Sequence, residues 1–268
     1  MNVRRAISSA IYVLSAAIGV MAFVYPFFRD AQSTGPLGVV HGQDATLVTT
    51  ALVGLSLVAL LVELQGQAIS AKTISLLGVL VAITSVLRFI EVAVPMPGGF
   101  SPIFAPIILS GYVFGGRFGF LMGTFTILAS ALVTGGVGPW MPYQMFTTGW
   151  VGMTAGWLGK LPRSRFGAWD LGLLAALGFG WGLLYGVIIN VYFWPFAAGA
   201  AGQTWTPGIG LRETLTHYAA FYVATSLMWD LPRAGGNVAL ILLLGAPTVR
   251  ALARFQRRFH FEVQSTHA

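Results

Sequence analysis

Arg88 and Glu91 stand three residues apart inside an otherwise apolar run. On a helix they share a face and can pair. Such a pair either snorkels to a polar boundary or turns into a helix bundle, where an ionisable group marks a functional site by default. Spacing alone leaves both readings open. Asp230, Arg233 and Asn237 form a second polar set around Pro232, again with acid and base at i, i+3. Counted from Thr216 at about 1.5 Å per residue, Asp230 falls about 20 Å inward, towards the cytoplasmic half. A structural ion pair beside a proline kink is its expected role, because unpaired burial is costly; a gating or partner contact is the alternative. His217, with Tyr218 and Tyr222 close by, carries types that complete an acid–base or binding set, but a structural or interfacial place is expected for a single histidine.

Two connections join aromatic rings to amides. Gly135-Gly136-Val137-Gly138-Pro139-Trp140-Met141-Pro142-Tyr143-Gln144 is one, and Asn190-Val191-Tyr192-Phe193-Trp194-Pro195 is the other. Trp140 and Trp194 can wall a pocket for a ringed organic ligand, oriented by the amides of Gln144 and Asn190, since small-molecule sites are mostly apolar with a few placed polar groups. An interfacial aromatic belt is the competing reading. Gly66-Gln67-Ala68-Ile69-Ser70-Ala71-Lys72-Thr73 nearly fits the phosphate-binding G-x-x-x-x-G-K-[ST] loop, but that loop needs a preceding strand and this segment links two apolar runs. No H-E-x-x-H, G-x-S-x-G or G-x-G-x-x-G occurs, and the absence of cysteine excludes thiol chemistry and disulfides. No enzyme, metal site or cofactor is expected.

These residues need elements to position them, and composition says which kind. Only 9% of the 268 residues are charged and 56% are hydrophobic, against roughly 25% charged in soluble domains. The chain reads as an all-α integral membrane protein. A helix needs about 20 apolar residues to span the hydrocarbon core. Eight runs approach or reach that length: Ala6 to Phe28, Ala45 to Leu64, Thr73 to Val94, Pro102 to Gly116, Phe118 to Val133, Gln144 to Gly159, Leu171 to Trp194 and Thr216 to Leu244. The fourth to sixth are short, which suits helices packed inside a bundle, and the eighth can kink at Pro232.

Alternate connections are basic. With the N-terminus inside, Arg4, Arg5, Lys72, Arg117, Lys160, Arg163, Arg165, Arg250, Arg254, Arg257 and Arg258 are cytoplasmic, against Arg29 and Arg212 outside. That asymmetry places both termini in the cytoplasm of a multi-pass protein of the cell membrane and makes the bilayer, not nucleic acid, the partner of the net positive charge. The first run is longer than a signal-peptide core and lacks a small-x-small cleavage site before Arg29, so it reads as a retained helix. It pairs with the second as a transmembrane hairpin over 1–68, ahead of a six-helix core over 69–268 with a basic cytoplasmic tail.

Small residues repeat every four positions at Gly115, Gly119 and Gly123, at Gly152 and Gly156, and at Gly178, Gly182 and Gly186. Close helix packing is the expected use. Gly78 and Ala82 form one more such pair, with a docking face for a partner subunit as the live alternative.

The stretch from Lys72 to Arg258 resembles the substrate-binding S components of energy-coupling factor (ECF) transporters, which import vitamins, their precursors and, in some relatives, metal ions. The resemblance rests on six core helices, the small-xxx-small pair in the first, Gly115-Gly116-Arg117-Phe118-Gly119, and above all Gly138-Pro139-Trp140-Met141-Pro142-Tyr143-Gln144-Met145. Tyr185-Gly186, Asn190, Trp194-Pro195, Trp229-Asp230, Arg233 and Gly236-Asn237 add to it. It leaves the first hairpin unexplained. It implies a high-affinity binder of one small vitamin-like molecule that cannot drive transport alone and works with an ECF transmembrane coupling subunit and two cytoplasmic ATPase subunits. It points to Arg88, Glu91, Trp140, Gln144, Asn190, Trp194 and His217 as substrate-binding residues, and to Gly78 and Ala82 as the contact with the coupling subunit. The pattern is closest to members linked with cobalamin or related vitamins. The alternative is a stand-alone secondary transporter coupled to an ion gradient through Glu91, Arg88 or the Asp230–Arg233 pair; no obvious inverted repeat supports it.

Overall fold

The computed structural model describes residues 13, 17, 19–21, 23, 24, 27, 71–94, 97–138, 140–161, 166–197 and 199–259, and of Ala71, Arg258 and Phe259 the backbone alone. Its main stretch holds helices α1 (Ala71–Ala93), α2 (Phe104–Phe114), α3 (Gly116–Thr134), α4 (Met141–Leu158), α5 (Ala168–Phe193), α6 (Leu211–Thr225) and α7 (Leu227–Phe259), with 3₁₀ turns at Pro97–Gly99 and Trp194–Phe196. No strand occurs among the described residues. Among the described residues four segments are long and apolar enough to cross a membrane, at Lys72–Ala93, Gly116–Thr134, Ala168–Phe196 and Leu227–Arg257. The all-α membrane reading therefore holds, and runs three to seven each become one helix. The hairpin over 1–68, Pro139, Arg163 and Arg165 lie outside the described residues, apart from a few positions of the first run. Of the phosphate-loop look-alike, Ala71, Lys72 and Thr73 are in the first turn of α1.

Backbone contact holds the bundle in two seams. A β-carbon at Gly119 would overlap the Gly152 carbonyl, one at Gly123 the Thr148 carbonyl, and one at Gly156 the backbone of Gly115 and Gly116, so α3 and α4 touch main chain to main chain. Gly111 meets Gly152 in the same way and brings α2 into the seam. The second seam joins α5 to α7, where Gly178 faces Ile241 and Asn237, Gly182 faces Ala234, and Gly186 faces the Asp230 carboxylate. Helices in lipid have no hydrophobic drive to associate, and close approach restores dispersion contacts instead. The glycine spacings are packing devices as expected, except that Gly115 has nothing within 4 Å of its β position and Gly116 takes its place. Between the seams sits α2, with Phe104, Ile107, Ile108 and Leu109 almost fully enclosed.

The eighth run is not one helix kinked at Pro232. It breaks at Ser226 (φ −124°, ψ −30°) into α6 and α7. Proline lacks the N–H that would bond back one turn and crowds that carbonyl, so the distortion falls on the N-terminal side of the ring. The Gly98–Gly99 turn lies against the freed corner: both glycines have positive φ, and a β-carbon on Gly99 would stand 2.7 Å from the Trp229 carbonyl oxygen. The pairing of α7 with α5 then fixes depth. Asn190 meets Ser226, Gly186 meets Asp230, Gly182 meets Ala234, and Gly178 meets Asn237. The register runs from the end of α5 backwards, which places Asp230 in the first turn of α7, at the end away from Arg117 and Lys160. The expectation that Asp230 lies towards the half with the basic connections is thereby corrected. It assumed one straight helix from Thr216, whereas the break restarts the descent at Leu227.

Arg117 and Lys160 mark one end of the bundle. Arg117 and Lys160 line one cavity, and Gln256 donates to the Val113 carbonyl at 2.9 Å, so the ends of α2, α4 and α7 meet the start of α3 there. Asp170, 3% exposed, ties the same end together: it accepts the Gly167 N–H at 2.9 Å and the Tyr112 hydroxyl at 3.1 Å. Arg88, Glu91 and Ser101 belong to the opposite end, where α1 passes to α2.

Candidate functional site

At the end opposite Arg117 and Lys160, polar side chains from four helices and the turn before α2 gather around Tyr185 of α5. From α1, Arg88 Nη1 donates to Glu91 Oε1 at 3.0 Å, and the other oxygen, Oε2, accepts the Ser101 hydroxyl at 2.7 Å. From α7, the Arg233 guanidinium donates to Asp230, whose second oxygen accepts the Tyr222 hydroxyl of α6 at 3.0 Å. Arg233 also lies 5.2 Å from the centre of the Tyr185 ring, a cation–π distance. Phe104 of α2 meets that ring edge to face at 5.0 Å. Thr148 of α4, Arg88, Arg233 and Glu91 all lie near the Tyr185 hydroxyl.

Each charge has a partner of opposite sign and each carboxylate a second donor, which burial of ionised groups requires. Asp230 is 2% exposed, whereas the Arg88 and Glu91 side chains are 24% and 18% exposed. Asp230 is therefore closed off, while Arg233, at 16% exposure, is about as reachable as Glu91. An arginine that is paired yet stacked on a phenol can exchange part of its bonding for an incoming polar group.

The expected site residues divide into three groups. Arg88 and Glu91 sit in the cluster itself. Gln144 is half-buried one turn along α4 from Thr148, and its backbone carbonyl accepts the Thr148 hydroxyl at 2.7 Å. Asn190 donates to the Ser226 hydroxyl at 2.5 Å, fastening α5 to the break between α6 and α7. Trp194 and His217 instead hold the connection between α5 and α6: Trp194 Nε1 donates to the Gln203 carbonyl at 2.8 Å, and His217 Nδ1 lies 2.9 Å from the Thr204 carbonyl. A carbonyl only accepts, so Nδ1 carries the proton, leaving Nε2 towards Glu213 at 3.7 Å. Trp194 is enclosed at 2% exposure by Tyr218 and Phe27, and Phe27 also meets Trp205 edge-on. Trp140 is 44% exposed and folds back on its own turn, donating to the Gly136 carbonyl at 3.2 Å. Gly78 and Ala82 lie on the exposed face of α1, well away from this cluster, beside the exposed Val79, Ile83 and Val86.

Spacing did not single out Ser101, Thr148 or Tyr185 as site residues. Tyr185 was legible in one respect: it stands three residues after Gly182 and so borders the glycine seam. Phe23, from the first apolar run, is buried among Phe120, Tyr143 and Phe146, and Tyr143 stacks on Tyr192 at 4.1 Å. Among the described residues two concavities stand out, one of about 500 Å³ at the basic end and one of about 490 Å³ along the outside of α5. No group of three His, Asp or Glu is placed to hold a metal ion among the described residues.

The family model described as ECF transporter, substrate-specific component, matches residues 72–245, well over half of the chain. No curated protein and no solved structure matches it significantly.

Proposed function

The chain belongs to the family of ECF transporter substrate-specific components, and we propose that its substrate is recognised at the cluster around Tyr185. As a member it is a multi-pass membrane protein that binds a transport substrate and works with ECF membrane and ATPase modules; it is not an enzyme. The proposed site comprises Arg88, Glu91, Gln144 and Asn190, extended by Ser101, Thr148, Tyr185 and Arg233, while Trp140, Trp194 and His217 hold the connections that lead into α4 and α6. The observation that carries it is the pair of ion pairs flanking one phenol at the end away from the basic residues. Basic residues mark the cytoplasmic side, so this cluster faces the outside, where an importer must capture its cargo.

The substrate is a vitamin or vitamin precursor with a ring to lie among the aromatic residues and polar groups to meet Arg88 and Glu91. A cobalamin-related compound is the specific form that the Gly138–Met145 segment suggests. Gly78 and Ala82 provide the contact with the coupling subunit.

The test is binding by the purified chain against a panel of vitamins, read by native mass spectrometry and then by calorimetry. Glu91→Gln and Tyr185→Phe each weaken the bound vitamin by about 1–3 kcal/mol, roughly five- to 150-fold, as expected for a lost polar contact in a desolvated site. Uptake into cells requires co-expressed coupling and ATPase subunits. Uptake by the chain alone that collapses with an ion gradient would overturn the proposal in favour of a secondary transporter. Unchanged affinity in both variants would move the site elsewhere.

A further inference from the structure

The basic end holds a cavity that the proposed substrate site does not use. Between α2, α3 and α4, and touched by Val13, it encloses about 500 Å³. Its lining is divided by chemistry: Arg117, Lys160 and Trp157 on one part, Phe114, Met153 and Val13 on another. The Trp157 indole nitrogen stands 3.6 Å from the β position of Gly116, beside the first turn of α3, where helix amides carry partial positive charge. Arg117, Lys160 and Trp157 are all exposed. In the sequence the same connection continues through Arg163 and Arg165.

We propose that this cavity binds the phosphate headgroup of an anionic phospholipid, with Arg117, Lys160 and the Trp157 N–H on the phosphate and an acyl chain along Phe114, Met153 and Val13. Two cations, one aromatic N–H donor and an apolar wall within one concavity match a molecule that is anionic at one end and hydrocarbon at the other. The cavity opens where α3, a membrane-crossing helix, begins, which is headgroup depth. Basic pockets between transmembrane helices on the cytoplasmic side select anionic lipids, and tryptophan prefers that boundary. A soluble phosphate would satisfy the cations but leave the apolar wall wet.

The full chain, in mild detergent, is titrated with phosphatidylglycerol and with phosphatidylcholine of identical acyl chains, and adducts are counted by native mass spectrometry. Phosphatidylglycerol is expected to be retained about tenfold more strongly. The double variant Arg117→Gln/Lys160→Gln abolishes that preference without changing phosphatidylcholine retention. Trp157→Phe, which keeps the ring and both charges, lowers phosphatidylglycerol retention a few-fold at an unchanged melting temperature, and so tests the site even if the double variant fails to fold. Equal retention of the two lipids, or a preference that survives the variants, overturns the proposal. Displacement of phosphatidylglycerol by equimolar inorganic pyrophosphate also overturns it and assigns the cavity to a soluble phosphate ligand.

Discussion

Gly186→Ala adds one methyl group at the depth where α5 admits the Asp230 side chain of α7 against its backbone. The new β-carbon would overlap the Asp230 carboxylate, so α7 is crowded and Asp230 leaves Tyr222 and Arg233. Forcing a methyl group into a packed contact costs about 1–3 kcal/mol. Losing the Tyr222 hydrogen bond to a charged acceptor adds about 1.5–3 kcal/mol. The better helix propensity of alanine returns about 1 kcal/mol. The net expectation is a loss of about 3 kcal/mol. Gly180→Ala is the internal control, because it lies on the same helix with nothing within 4 Å of its β position; it should be neutral or stabilising by up to about 1 kcal/mol. Both are measured by equilibrium unfolding in mixed micelles, following far-ultraviolet circular dichroism. Adding Asp230→Ala to Gly186→Ala removes the clash as well as the ion pair, so the double variant should cost less than the sum of the singles. A Gly186→Ala variant as stable as Gly180→Ala would refute the α5–α7 register and, with it, the outward position of Asp230.

Gly78→Leu with Ala82→Leu leaves stability and substrate affinity unchanged, because Gly78 has open space at its β position and both residues are exposed, while co-purification of the coupling subunit falls; full retention of that subunit would remove the docking role proposed for α1. Trp194→Phe keeps most of the buried ring but deletes the bond to the Gln203 carbonyl, worth about 1–1.5 kcal/mol. Protease cleavage between residues 197 and 210 should then be about five- to tenfold faster, and an unchanged rate would show that the indole N–H does not hold this connection.

Apolar length fixed the helices well. Thr73 to Val94 became α1 (Ala71–Ala93), and Leu171 to Trp194 became α5 (Ala168–Phe193), because in lipid hydrophobic length is the constraint on a helix. The glycine seams were legible for the same reason: spacing of four puts small residues on one face. What a helix buries was harder to read. When both sides of a helix are apolar, periodicity no longer tells a core-facing side chain from a lipid-facing one, so Thr148 and Tyr185 gave no signal of their own. The break at Ser226 was hidden because hydropathy continues across it, and Pro232 drew attention to the wrong residue. Arg88 and Glu91 needed no periodicity, since a charge inside an apolar run is conspicuous in itself.

The two glycine seams also determine where the molecule can change shape. Helices that meet backbone to backbone have no interposed side chains to change rotamer, so α3 with α4, and α2 with them at Gly111, behave as one stiff laminate. The pair of α5 and α7 meets through side chains as well, with Ile241 and Asn237 at Gly178 and Asp230 at Gly186. Ile108 and Leu109 of α2 reach towards Gly178 and Gly245 of that pair and form the compliant layer. Cargo released at one face of the bilayer would thus be accompanied by shear across this layer, with each group of helices moving as a body.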